Sequence, residues 1–177
     1  MNRLGIDIGR VIIDSPPGED TAFFHGDHAT VLRTPFVPGA FEVIPRLVEL
    51  FEGQAWLVSK CGPRIQQRSL DWLHHHRFFE LTGIPTDNVR FCLRRPDKAI
   101  HCAELRITHF IDDKADVHEA LRGVVPNRYL FGPQRVTPAG LVHTPDWPSA
   151  EAAIRRTLAD RTISPEYFLL AKVESTP

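Results

Sequence analysis

Four places in this 177-residue chain put chemically capable side chains beside the carboxyl end of an apolar run. Asp7 ends the run LGI, Ser59 follows AWLV, Lys98 opens a helical stretch shortly after VRFCL, and Asp112 and Asp113 close ITHFI. In open parallel sheets ligands bind outside the carboxyl ends of the strands, so these are the side chains that a bound molecule would meet. Together the residue types suit a phosphoryl group. A carboxylate attacking phosphorus must approach a dianion, and a divalent cation with a lysine offsets that repulsion and steadies charge on the equatorial oxygens. Asp7 and Asp112 are candidate oxygen ligands for Mg²⁺, a hard cation that usually keeps several waters besides one or two carboxylates. Ser59 can donate to a phosphoryl oxygen, and Lys98 can supply positive charge and keep Asp7 ionised. Asp113 remains as a second ligand or as an orienter of metal-bound water.

Taken in chain order, the apolar run with Asp7, the run with Ser59, then Lys98, then Phe110-Ile111-Asp112-Asp113 resembles the four signature motifs of the haloacid dehalogenase-like (HAD-like) superfamily, over roughly residues 4–131. Receiver domains combine similar residues, but there the acidic pair closes the first strand instead of the fourth. The resemblance implies a Mg²⁺-dependent phosphohydrolase in which Asp7 is the nucleophile and carries an aspartyl-phosphate. Ser59 and Lys98 would hold the phosphoryl group. Asp7, the backbone carbonyl of Gly9, Asp112 and Asp113 would hold the metal. The implied partner is a phosphorylated substrate or ligand, whose identity the sequence leaves open.

One residue departs from the pattern. Phosphatases of that superfamily usually carry Asp-x-Asp in the first motif, the second Asp protonating the leaving group, whereas this chain reads Asp7-Ile8-Gly9-Arg10. Gly9 keeps a carbonyl but has no acid, and general acid–base help is typically worth about 10² to 10⁴ in rate. Three expectations follow. Asp14, His25, Asp27 or His28 in the next segment replaces the acid; or the substrate has a good leaving group, such as an acyl phosphate; or the domain is catalytically impaired and binds a phosphorylated ligand or partner without turnover. Arg10 either reaches toward phosphate or pairs with a nearby acid, and Lys60, beside Ser59, competes with Lys98 as the site lysine. His74, His75 and His76 cannot chelate one ion together, since consecutive helical residues point in different directions, and they read as a solvated helix end. Cys61 lies near the site and reads as a packing residue.

The elements that must position these groups follow from periodicity. Residues 4–8 form a strand with Gly9 as its punctuation. The Pro- and Gly-rich segment 14–38 forms an irregular flap or hairpin in place of a large cap domain, so the site is expected to be open. Phe41, Ile44, Leu47, Val48 and Phe51 mark an amphipathic helix over 39–51. Residues 55–58 form a second strand, and Pro63 starts a helix with Ile65, Leu70, Trp72 and Leu73 on its apolar face. Strands at 89–93, 107–111 and 128–131 alternate with helices at 97–105, 115–121 and 149–158, the last capped by Ser149. Such alternation predicts a three-layer Rossmann-like α/β fold, with about five mostly parallel strands and helices on both faces. A single domain is expected over 1–161, with 132–148 irregular and 162–177 as a tail.

Composition adds mainly exclusions. Hydrophobic residues at 42% and charged residues at 24% fit an ordinary globular protein and argue against wholesale disorder. A net charge of −1 gives no broad field for nucleic acid or anionic lipid. Cys61, Cys92 and Cys102 form no CxxC pair and are odd in number, which argues against a disulfide framework or a zinc site and points to a reducing cytoplasm. No apolar run approaches the roughly 20 residues of a membrane span. Oligomerisation is left open.

Overall fold

The computed structural model describes residues 1–14 and 26–162; of the candidate acids, His25 lies outside them, as does most of the expected tail. The central sheet runs in the order β3-β2-β1-β4-β5-β6 with every pairing parallel. Its strands are β1 (Leu4–Ile6), β2 (Ala55–Lys60), β3 (Val89–Cys92), β4 (His109–Asp112), β5 (Asn127–Phe131) and β6 (Val142–Thr144). The helices are α1 (His28–Leu32), α2 (Ala40–Leu50), α3 (Pro63–His75), α4 (Phe78–Thr82), α5 (Lys98–Glu104), α6 (Ala115–Ala120) and α7 (Trp147–Thr162).

The strands are apolar on both faces because both are covered. Leu4, Ile6, Ala55, Leu57 and Ile111 belong to a core shared with residues of α2, α3, α4 and α7. Trp56, Val58 and Phe110, pointing the other way, pack with Cys102 of α5 and Val117 of α6. Three layers result. Gly5 sits in β1 because its neighbour leaves no room for a side chain: a β-carbon there would lie 2.4 Å from Cδ2 of Phe110.

Three expectations require correction. The sheet has six strands rather than about five, because β6 forms within 132–148. Two of its three residues are exposed, so an edge strand of this length leaves no apolar run to read. The flap contains a helix, α1, and its ends are pinned together by the antiparallel bridge between Ile13 and Phe36 and by Asp14 N–H donating to Pro35 O at 2.9 Å. The last helix starts at Trp147, and its cap is Asp146, whose Oδ1 accepts the Ser149 N–H at 2.8 Å. The short helix α4, five residues long, adds Phe78 and Phe79 to the core. Among the described residues no helix is long and apolar enough to cross a membrane.

A charged clamp joins the outer helices. Glu151 on α7 accepts three bonds from Arg46 on α2, at 3.0, 3.2 and 2.6 Å, and two from Arg155, at 3.1 and 2.9 Å. The hydrogen bond from Arg46, aided by Arg155 and opposed by partial burial, holds the Glu151 carboxyl down at about 2. Its stabilisation is therefore complete above the ordinary glutamate pKa of about 4.3 and is lost as pH falls toward 2. Glu151→Gln should cost roughly 1 kcal/mol at neutral pH, Arg46 being half exposed and screened. In urea titrations the gap between variant and wild type should close between about pH 4.5 and 2.

Candidate active site

The strand order places the candidate residues side by side. β1 lies between β2 and β4, with Leu4 in register with both Ala55 and His109. Asp7, just past Ile6, continues this pairing by donating its N–H to Ile111 O at 3.0 Å. Asp7, Ser59 and Asp112 therefore emerge at the same sheet edge from three adjacent strands. Lys98 arrives from outside the sheet, at the start of α5 after the tight turn Arg95–Asp97.

Lys98 is the hub. Its Nζ lies 2.6 Å from Asp112 Oδ2 and 2.8 Å from Asp7 Oδ1, and the lysine side chain is only 2% exposed. Burial alone disfavours the ammonium, but Asp112 and then Asp7 outweigh it and hold Lys98 above the ordinary lysine value. Asp112 is fully buried. Burial raises its carboxyl pKa, Lys98 opposes that, and Asp7 and Asp113 push it up further. Its Oδ1 accepts the Lys114 N–H at 2.8 Å, and its carbonyl lies 3.0 Å from Nε2 of the buried His118.

Asp113 stands beside the pair, 3.3 Å from Lys114 Nζ and 3.9 Å from an Arg10 nitrogen. Burial and Asp7 raise its carboxyl, while Lys114 and Arg10 lower it. Arg10 thus pairs with a neighbouring acid and also lines the cavity described below, so both of its expected roles are geometrically open. It holds a left-handed φ of 61°, an arrangement that costs a non-glycine residue about 1–2 kcal/mol. The surrounding turn enforces it: Arg10 N–H donates to Ile13 O at 2.7 Å, and Ile12 and Ile13 both donate to Ile8 O.

The residues present fit a divalent cation. Asp7, Asp112 and Asp113 each offer an oxygen within 4.8 Å of the others. Asp7 Oδ1 is buried and meets Lys98 as an ion pair at 2.8 Å, with its hydrogen-bonding capacity otherwise unfilled. Hard oxygen donors with this much negative charge suit Mg²⁺ better than a softer metal.

A cavity of about 50 Å³ opens over this edge, enough for a few water-sized groups. Asp7, Gly9, Ser59 and Lys98 all line it, as does Asp113. Asp112 does not; it sits behind them and acts on the cavity through Lys98. The replacement acids do not gather here: among the described residues, Asp14, Asp27 and His28 are all outside the lining. Asp27 instead caps α1, its Oδ1 accepting the Thr30 N–H at 2.8 Å, which lowers its pKa. His28 lies 3.8 Å from Asp71.

Ser69, Arg95 and Lys114 line the cavity without having been singled out in the sequence. Lys114 could have been read from its position next to the acidic pair, and Arg95 from its closeness to Lys98. Ser69 is a single polar residue on α3 and carries no signal. Cys61 faces the cavity, but burial and Asp7 raise its thiol to about 12, so it is an inert packing residue at neutral pH. The histidine run divides: His74 and His75 are exposed, while His76 stacks on Trp72 and its Nε2 lies 2.9 Å from Leu32 O, holding the flap's return limb against α3.

Replacing Lys98 with Met should destabilise the fold by about 3–5 kcal/mol at neutral pH, because two buried carboxylates lose their counter-charge. Without the lysine, Asp112 titrates higher in the folded than in the unfolded chain. The folded state then binds more protons, so stability should recover as pH is lowered from about 8 to about 5. A Lys98→Met loss that stays constant over that range would contradict the hub role; chemical denaturation at each pH measures it.

No protein-family model matches the sequence, and no curated protein does. Among solved structures, the chain is similar to a haloacid dehalogenase-like family hydrolase from Xanthomonas campestris, with a TM-score of 0.61 at 12% identity over 91% of this chain and 98% of that one. At that identity the likeness is one of fold. The chain therefore shares the three-layer α/β fold of that structure, a parallel sheet covered by helices on both faces.

Proposed function

We propose that the protein is a Mg²⁺-dependent phosphohydrolase that works through an aspartyl-phosphate on Asp7. The observation that carries this reading is the convergence of Asp7, Asp112 and Asp113 around the buried Lys98, at the strand ends where a HAD-like fold presents its ligand site.

The steps follow from the positions of the chain's own groups. An Asp7 oxygen attacks phosphorus, the bond from phosphorus to the leaving oxygen breaks, and the electron pair departs with that oxygen. Lys98, 2.8 Å from Asp7, offsets charge on the attacking carboxylate and on the transferred group, and Ser59, across the same cavity, donates a hydrogen bond to a phosphoryl oxygen. Water then attacks the acyl phosphate, releasing inorganic phosphate and restoring Asp7. Asp7, Asp112, Asp113 and the Gly9 carbonyl would hold Mg²⁺, which would supply further charge neutralisation.

Proton delivery to the leaving group is the weak step. Asp7 and Asp113 are the carboxyl groups lining the cavity among the described residues, and both are engaged as above. The site therefore suits leaving groups that depart without protonation, such as acyl or aryl phosphates. The same observation supports a second reading, in which the domain holds a phosphorylated ligand or partner without turnover.

Turnover of acetyl phosphate and 4-nitrophenyl phosphate separates the readings. With Mg²⁺ the wild type should hydrolyse both, and Asp7→Asn should abolish it; equal inertness of the two proteins, with Mg²⁺ still raising the melting temperature, establishes the binding-only reading. Saturating Mg²⁺ at about a hundredfold over its Kd should stabilise the wild type by about 2.7 kcal/mol, an effect that Asp113→Asn weakens and matched NaCl does not reproduce.

Gly9 offers a gain-of-function test. Its φ is not in the left-handed region, so the backbone accepts a side chain there. Gly9→Asp should raise kcat for an alkyl phosphate by about 10² or more while changing aryl phosphate turnover far less, because only the poor leaving group needs the proton. Equal effects on both esters would argue against a missing acid.

A further inference from the structure

Among the described residues, two hydroxyls line the cavity, Ser59 and Ser69. Ser59 has its task at the phosphoryl group. Ser69, in the middle of α3, is only 3% exposed and makes no hydrogen bond with any described residue. A helical hydroxyl kept from water commonly bonds back to the carbonyl one turn earlier. Thr82 does so to Phe78 O at 2.8 Å and Thr157 to Ala153 O at 3.0 Å, but Ser69 leaves Ile65 O to the helix. Its oxygen is reachable from the cavity rather than sealed in the core. Leaving such a group unpaired is costly, and at a ligand site the partner it lacks is a ligand atom.

The surroundings of Ser69 say which atom. Ile65 stands one turn earlier on the same helical face and lines the cavity with it. Cys61, just before the helix, adds a thiol that burial keeps protonated. This wall carries no charge and offers a phosphoryl dianion little, whereas Lys98 beside Asp7 offers it a buried cation. The wall suits the rest of the molecule: a short apolar piece against Ile65 and one oxygen accepting from Ser69. The cavity holds only about 50 Å³, so that oxygen lies within a few bonds of phosphorus. In an acyl phosphate the carbonyl oxygen stands there; an aryl phosphate has only ring carbons in that place.

We infer that Ser69 is a catalytic residue that donates a hydrogen bond to the acyl oxygen of the leaving group, and that the substrate class is an acyl phosphate with a small uncharged acyl chain. This rests on the phosphohydrolase reading and deepens it. As the bond from Asp7 to phosphorus forms and the bond from phosphorus to the bridging oxygen breaks, the electron pair leaves on a carboxylate that shares its charge between two oxygens. Ser69 stabilises one of them and keeps its own proton, so no acid is needed at Gly9.

Binding is measured calorimetrically on the full chain with Mg²⁺. The probes are 2-oxopropylphosphonate, a non-hydrolysable analogue of acetyl phosphate, and 2-methylpropylphosphonate, which has a methyl group in place of the carbonyl oxygen. The wild type should bind the oxo compound about tenfold more tightly. Ser69→Ala should bring that ratio toward one, as should Ser69→Cys, which fills the same space with a weak donor; the alkyl compound reports in each case whether the phosphoryl site is intact. In turnover, Ser69→Ala should lower kcat/KM for acetyl phosphate about tenfold and leave that for 4-nitrophenyl phosphate within about twofold. Equal binding of the two phosphonates by the wild type, a ratio that both variants keep, or an equal loss on both esters overturns the role of Ser69. A ratio that depends on Ser69 without hydrolysis of acetyl phosphate supports the hydrogen bond and overturns the phosphohydrolase reading. Failure of both phosphonates to bind overturns both.

Discussion

The rest of the site depends on one buried ammonium. Lys98 lies at the bottom of the cavity between Asp7 and Asp112, two carboxylates that strands β1 and β4 bring together whether or not a counter-charge is present. Burying any of the three alone would cost several kcal/mol. Their mutual attraction explains why a lysine can open α5 while almost fully buried, and why the turn Arg95–Asp97 must deliver it at that point. A buried ion triad is weak evidence of stability, since apolar residues could fill the same space at no loss. Its retention at the carboxyl edge of a parallel sheet is better explained by what it does to a ligand.

Behind the triad the structure is built to resist change, and in front it is built to admit something. Asp112 is held by the Lys114 N–H at one oxygen, and its own carbonyl lies beside His118, a ring that burial keeps neutral by lowering its pKa to about 4. Arg10, by contrast, holds backbone strain in a left-handed turn three residues after Asp7, and that turn is fixed by hydrogen bonds to Ile8 and Ile13 and by Trp147, whose indole donates to Val11 O at 2.9 Å. Strain that a fold over-determines in this way gathers where a side chain must be aimed. The returning limb of the flap rests on α3 through Trp72 donating to Thr34 O and through His76, and the same helix lines the cavity with Ile65 and Ser69.

Much of this was legible in the sequence because it depends on short-range patterns. Short continuous apolar runs gave the buried strands, and the polar residue closing each run gave Asp7, Ser59 and Asp112 without any knowledge of strand order. The structure brings these together with Lys98, as the ordered motifs implied. Lys60 and Lys98 looked alike in the sequence; only three-dimensional placement shows Lys98 between the carboxylates and Lys60 near the rim. The misses have equally physical causes. β6 is an edge strand with one buried residue, α1 and α4 are helices of five residues each, and the cap of α7 depends on whether Asp146 or Ser149 points back at the chain. None of these leaves a periodic signal.

Gly9 is where binding and turnover separate. A carbonyl is present in every residue, so replacing an acid by glycine removes a proton donor without removing a metal ligand. The remaining machinery, Asp7 beside Lys98 with Ser59 across the cavity, stabilises charge on the transferred group but does nothing for charge on the departing oxygen. The loss at Gly9 therefore narrows the chemistry to leaving groups that are already acidic and depart without a proton.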